Sequence, residues 1–166
     1  MLIAFSGLPG TGKTTLARLL ASRLGATYLR IDTVEDELFK LGGASLVESG
    51  AGYCVAYAVA GDNLRLGNTV IADSVNATAI TREAWRKTAV DAGVRLVEVL
   101  VTCTDTSIHK ERIAARAQGT RASSWVEIFA RPMDAAPEGT IVIDTALRSA
   151  EECVTALENA LGLGLG

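Results

Sequence analysis

Cysteine and histidine are sparse in this sequence, and their scatter removes whole classes of chemistry. The three cysteines, Cys54, Cys103 and Cys153, are odd in number and far apart. They form no C-x-x-C pair and no zinc spacing, so the expectation is buried thiols in a reducing compartment. The one histidine, His109, cannot complete a metal site with them and reads as a surface residue near a helix start. Long apolar runs are also missing: none reaches the roughly 18 residues needed to span a bilayer, and no membrane partner is expected. Met1 to Ser6 is apolar but lacks a basic flank, which argues against a signal peptide and for a cytoplasmic chain. A basic surplus is absent too. Sixteen Lys and Arg face 19 Asp and Glu, a net charge of −3, whereas a duplex-binding domain usually carries the opposite sign.

What is present is a globular balance: 49% hydrophobic and 21% charged residues over 166 positions. That length fits one domain able to bury a core without disulfides or a structural metal. The domain is expected over 1–161, with the Gly/Leu tail 162–166 frayed. Charge is uneven. Nine of the 16 basic residues lie between Arg82 and Arg131, while Asp32 to Glu48 holds five acids and one lysine.

Patterning alternates between short apolar runs and helical periodicity. Strands are predicted at 2–5, 27–31, 69–72, 94–101 and 140–143. Helices are predicted at 13–24, from Asp32 or Thr33 as N-cap, at 53–66, 81–92, 105–117, 125–131 and 149–161. Glycines 42, 43, 50 and 52 predict a mobile loop over 41–52, and 118–124 reads as another loop. Such alternation gives an α/β fold, a parallel sheet with helices on both faces. Ligands then bind outside the carboxyl ends of the strands, which places the 7–14 loop, Asp32, Asp73 and the loop after Val101 on one rim.

Gly7-Leu8-Pro9-Gly10-Thr11-Gly12-Lys13-Thr14, followed by Thr15, fits G-x-x-x-x-G-K-[ST] between a predicted strand and a predicted helix. Glycines let successive N–H groups turn toward oxyanions, and the helix adds the positive end of its dipole. Lys13 would carry charge to the β and γ phosphates of ATP, and the Thr14 hydroxyl would reach Mg²⁺. The bland alternative, a chance glycine-rich turn, does not account for the strand and helix on either side.

Transfer of a phosphoryl group further needs an acceptor hydroxyl, a group to deprotonate it, and positive charge on the migrating phosphoryl. Asp32 is the candidate base, its alternative being a helix N-cap. Glu35, one turn on, is a candidate for holding the acceptor. Asp73, after Val70-Ile71-Ala72, is the candidate metal carboxylate, or else a capping or orienting group, and Asn76 is a candidate to assist on the same rim. Arg112 and Arg116 share a helix face and Arg121 follows. They are expected at the nucleotide, Arg116 at the transition state, within a small lid over 112–124. Their alternative is a solvated face with Arg112 paired to a carboxylate.

With these residues in place, the chain resembles the small P-loop kinases that include polynucleotide 5′-kinase domains, chloramphenicol phosphotransferase and zeta-toxin-like kinases. The resemblance is carried by the 7–15 cradle, Ile31-Asp32-Thr33-Val34, Ile71-Ala72-Asp73-Ser74-Val75-Asn76 with Arg82-Glu83-Ala84-Trp85, and the stretch from Arg112 to Arg121. It implies a three-layer P-loop fold with strand order 2-3-1-4-5, Asp32 as base, Arg116 as transition-state stabiliser, and ATP as donor to a hydroxyl. Polynucleotide kinases have an arginine soon after the aspartate, where this chain has Val34, Glu35, Asp36 and Glu37. That departure and the acidic 32–48 stretch favour a small-molecule acceptor over a nucleic-acid 5′-hydroxyl. An ATP-binding switch or assembly ATPase, with no acceptor, is the reading from another class. Donor identity between ATP and GTP, the acceptor and the oligomeric state are left open by the sequence.

Overall fold

The computed structural model describes residues 1–116 and 132–163. The predicted 118–124 loop, the 125–131 helix, Arg121 and the tail end 164–166 lie outside the described residues. So does most of the expected 112–124 lid.

The elements run β1 (Leu2–Ser6), α1 (Lys13–Leu24), β2 (Thr27–Arg30), α2 (Ile31–Gly42), α3 (Ala44–Glu48), α4 (Ala51–Arg65), β3 (Val70–Asp73), α5 (Ala79–Asp91), β4 (Leu96–Thr102), α6 (Thr106–Arg116), β5 (Ile141–Asp144) and α7 (Ala150–Leu161). The strands form one sheet in the order β2-β3-β1-β4-β5, and each pairing is parallel. The sheet order matches the expectation.

Strands buried on both faces read as near-continuous apolar runs, and β1 is one: Leu2 to Phe5 are apolar and buried, and the buried Ser6 that ends it donates its hydroxyl to Val99 O at 3.1 Å. Successive side chains alternate between faces. Ile3 and Phe5 join Leu16 and Leu20 of α1 and Leu157 of α7 in one core. Leu2 and Ala4 join Ala56 and Ala60 of α4 and Trp85 of α5 in the other. The small residues of α4 let that helix approach the sheet closely, and Trp85 fills the space behind, edge-on to Tyr57 with ring centroids 4.6 Å apart.

Three expectations about local structure change. The 41–52 stretch is not one loop: α2 continues to Gly42, and Ala44–Glu48 forms a further helix. Gly43 and Gly50 (φ +72° and +78°) are the left-handed joints between helices rather than marks of a long loop. The N-cap of α2 is Arg30, so Asp32 stands in the first turn and is not the cap. At the other end of the chain, Gly162 caps α7 in a left-handed conformation and Leu163 N donates to Glu158 O at 2.8 Å, which ties down the start of the expected frayed tail.

Helix α7 begins with a capping box. Ser149 Oγ accepts from Glu152 N, and Glu152 returns a carboxylate to Ser149 N at 2.8 Å. The hydrogen bonds from Ser149 hold the Glu152 carboxyl below its ordinary value. Ser149→Ala is expected to lower unfolding free energy by about 1 kcal/mol. A shift in urea midpoint at unchanged slope would measure it.

Candidate functional site

The rim at the carboxyl ends of the strands is assembled by register. Phe5 pairs with Asp73, Asp73 with Arg30, and Ser6 with Leu100. The chain leaves β1 directly into the glycine-rich loop. Gly7 has φ +134°, and a Cβ there would stand 2.2 Å from the Val101 carbonyl oxygen, so only glycine can pass this point of the sheet. Gly7 N donates to Val75 O at 3.1 Å, which ties the loop to the segment after β3.

Helix α1 starts at Gly12 without a side-chain cap. The first turn of a helix has N–H groups without intrahelical partners, the arrangement that binds an oxyanion. Lys13 is buried and its Nζ donates to Leu8 O at 2.7 Å. Thr11 Oγ1 donates to the same carbonyl at 2.9 Å. Thr14 is half-buried at the loop's end and Thr15 is exposed.

A pocket of about 450 Å³ opens beside the loop, lined by Gly10, Gly12, Lys13, Thr14, Thr15 and Leu16 together with Arg112, Ala115, Thr145, Arg148 and Ala150. Thr145 and Arg148 are functional candidates that sequence reading leaves unassigned. The signal for them was topological: they follow the carboxyl end of β5, on the same rim as the loop. Among the described residues Arg112 is paired to no carboxylate. It donates to Thr145 Oγ1 at 2.7 Å and to Thr145 O at 3.2 Å. Thr145 Oγ1 in turn donates to Thr11 O at 2.7 Å. Arg116 lies on α6, and its side chain lies outside the described residues.

His109 lies near the start of α6, as expected, but not at the surface. It is 2% exposed, and its Nε2 lies 2.8 Å from Pro9 O in the loop. Its contact partner is 100 residues away in sequence, which is why local patterning placed it at the surface. Cys54 is corrected in the other direction, being exposed, while Cys103 and Cys153 are buried as expected.

Gly10, at φ +82°, packs under α6. An added Cβ would meet Ile113 Cγ1 at 2.7 Å and the His109 ring at 3.1 Å. Gly10→Ala is expected to cost about 1–2 kcal/mol from the left-handed backbone, and more as Ile113 is displaced. Denaturant unfolding of the ligand-free protein measures this, and a parental midpoint would show that the loop relaxes freely.

Across the loop, Arg30 gathers the two candidate carboxylates. Its Nη2 donates to Asp32 Oδ2 at 2.6 Å, and its Nε lies 3.8 Å from Asp73 Oδ2, an ion pair without a hydrogen bond. Asp73 is buried, whereas the Asp32 side chain is 46% exposed and faces solvent at the rim. Tyr28 Oη donates to Asp73 Oδ2 at 2.7 Å. Burial, with the Asp73 carboxylate beside it, pushes the Tyr28 phenol up to about 12, so Tyr28 stays a donor. Arg30 and Tyr28 fix Asp73 from the β2 side, and neither is flagged by a motif. Glu35 packs against Gly52 of α4, where a Cβ would meet its Cγ at 2.5 Å. Burial raises the Tyr53 phenol, and the carboxylates of Glu35 and Asp32 add to that rise. Asn76 is buried at φ +45°, with its N–H donating to Tyr53 Oη at 3.3 Å. Asp32, Asp73, Glu35, Tyr53 and Asn76 thus gather on the β2–β3 side of the loop, and the Thr145–Arg148 pocket opens beside the loop toward β5.

Known proteins share the fold. Residues 2–135 match the family described as AAA domain. A stretch of 31 residues is 58% identical to a Pyrococcus abyssi protein provisionally named an adenylate kinase, covering 19% of this chain and 17% of that protein. Among solved structures, a protein of Chloroflexus aurantiacus provisionally named a kinase superposes with a TM-score of 0.77 at 24% identity, over 99% of this chain and 97% of that one. The APS kinase CysC of Mycobacterium tuberculosis, solved with AMPPNP and APS, superposes with a TM-score of 0.73 at 20% identity, over 97% and 96% of the two chains. At these identities the structural likeness is one of fold.

Proposed function

The chain belongs to the AAA domain family, and from that premise we propose that it is an ATP-dependent phosphotransferase that moves the γ-phosphoryl group onto a hydroxyl of a small-molecule acceptor. The observation that carries this reading is the juxtaposition at the β1–β3 edge. An uncapped helix start with Lys13 lies on one side, and a solvent-facing Asp32 tied through Arg30 to a buried Asp73 lies on the other. The kinase folds among its structural neighbours support the reaction class. The finer likeness to polynucleotide kinases, chloramphenicol phosphotransferase and zeta-toxin-like kinases rests on the motifs at 31–34 and 71–85.

In this mechanism the loop N–H groups and Lys13 bind the phosphates and hold them in line with the acceptor. Asp32 takes the acceptor proton. It reaches solvent, where an acceptor enters, and the Arg30 guanidinium fixes its orientation. Glu35 and Tyr53 flank it as acceptor contacts. Arg112 supports the loop through Thr145, and Arg116 and Arg121 supply charge to the migrating group.

The residues present fit Mg²⁺. The Thr14 hydroxyl and Asp73 carboxylate are hard oxygen donors. Among the described residues no set of three or more His, Cys, Asp or Glu side chains could form a cage, as suits an ion completed by phosphate and water oxygens. Bound there, Mg²⁺ would neutralise phosphate charge.

The acidic α2–α3 region disfavours a nucleic-acid acceptor, since it repels a phosphate backbone. Among the described residues no helix is long and apolar enough to cross a membrane. A screen of small alcohols, nucleosides and antibiotics for acceptor-dependent ADP release tests the proposal. Release that no acceptor stimulates would favour the switch or assembly ATPase.

A further inference from the structure

A phosphate cradle works only if its N–H groups face inward, and in a planar trans peptide the N–H points opposite to the preceding carbonyl. Whatever holds the loop carbonyls outward therefore aims its donors. Leu8 O is held by Lys13 and Thr11, but the peptide it belongs to ends in Pro9, which has no N–H. Thr11 N donates to the same Leu8 carbonyl at 3.4 Å, which leaves the N–H groups of Gly10 and Gly12 as the next donors. The peptide of Gly12 is set by Thr145, whose hydroxyl donates to Thr11 O at 2.7 Å and is itself held by Arg112. The peptide of Gly10 is set by Pro9 O, and the group on that carbonyl is His109 Nε2 at 2.8 Å. A carbonyl only accepts, so this nitrogen carries the proton.

We propose that His109 is a positioning residue for nucleotide binding: by holding the Pro9 carbonyl against α6 it aims the Gly10 N–H at the phosphates. This rests on the reading of the loop as a nucleotide cradle. Three features make the contact a built one. His109 is 2% exposed. Its ring sits where a Gly10 Cβ would come within 3.1 Å, so glycine at position 10 and histidine at 109 are matched in shape. Ile113, one turn further along α6, closes the same side at 2.7 Å from that point. The side chain touches no phosphate in this arrangement. It acts through Gly10, and α6 thereby becomes the part of the fold that sets the shape of the loop.

The test compares H109L, which keeps bulk and loses the donor, with H109Q, whose amide N–H replaces Nε2–H. Affinities for ATP and for adenosine are measured by calorimetry. The parent is first shown to bind ATP; if it does not, the cradle reading fails and this inference with it. With the parent binding, H109L is expected to weaken ATP at least about 10-fold and leave adenosine within about 2-fold, because adenosine makes no phosphate contact. H109Q is expected to recover most of the ATP affinity. Parental ATP affinity in H109L, equal loss of ATP and adenosine, or a folded H109Q as weak as H109L would overturn the proposal. If H109L does not fold, the ¹⁵N shifts of the His109 ring in the parent decide. Protonated Nε2, shifting on addition of ATP, is expected, and unprotonated Nε2 contradicts the proposal.

Discussion

Lys13→Ala is expected to reduce phosphoryl transfer by about 10³-fold and to weaken ATP binding while the protein stays folded. The rate effect follows from removing the one side-chain cation of the loop from where charge develops in the transition state, in a site that partly excludes water. The stability effect is small for a specific reason. Lys13 is buried, and its amine donates to Leu8 O at 2.7 Å, a carbonyl that keeps the Thr11 hydroxyl at 2.9 Å when the lysine is removed. Losing such a bond costs about 1 kcal/mol. The packing that holds α1, through Leu16, Ala17 and Leu20, is untouched. Calorimetry with ATP, beside circular dichroism of the same preparation, separates the two effects. Equal ATP affinity in variant and parent would remove Lys13 from the site.

Asp32→Asn is expected to lower turnover by about 10²-fold or more, with a smaller change in ATP affinity. The amide keeps the size of the side chain, and its oxygen can still accept from Arg30, now at 2.6 Å from the carboxylate. What it loses is the ability to take a proton. Because the N-cap of α2 is Arg30, the substitution leaves the helix start as it was. The ion pair it weakens is partly exposed and contributes about 0–1 kcal/mol. Turnover at saturating ATP and acceptor, set beside the ATP dissociation constant, gives the comparison. Parental turnover would leave Asp32 as a partner of Arg30 and nothing more.

The parts of this molecule legible in sequence are those written in local periodicity. Apolar runs such as Leu2–Phe5 and Val70–Ala72 gave the strands, and helical periodicity gave the last helix over 149–161. The cradle could be read because its chemistry is carried by contiguous residues. The rest depends on contacts between distant positions. His109 meets Pro9 across 100 residues, and Thr145 meets Thr11 across 134. No window of sequence contains either pair. Arg30 looked like one more strand residue, because its role is fixed by the register that sets it beside Asp73. The glycines at 43 and 50 suggested a loop, since glycine marks a left-handed joint equally well whether coil or helix follows. Arg112 faced a hydroxyl rather than a carboxylate, and only the position of the loop after β5 decides between them.

The most direct test of phosphotransfer is the fate of the γ-phosphoryl group, followed by ³¹P NMR with ATP, Mg²⁺ and a panel of hydroxyl compounds. The expected result is a new phosphomonoester signal that grows with one acceptor as ATP is converted to ADP, and that is absent with Lys13→Ala and slowed with Asp32→Asn. Conversion of ATP to ADP and inorganic phosphate at the same rate with every acceptor and with none would contradict a kinase and leave an ATPase in its place.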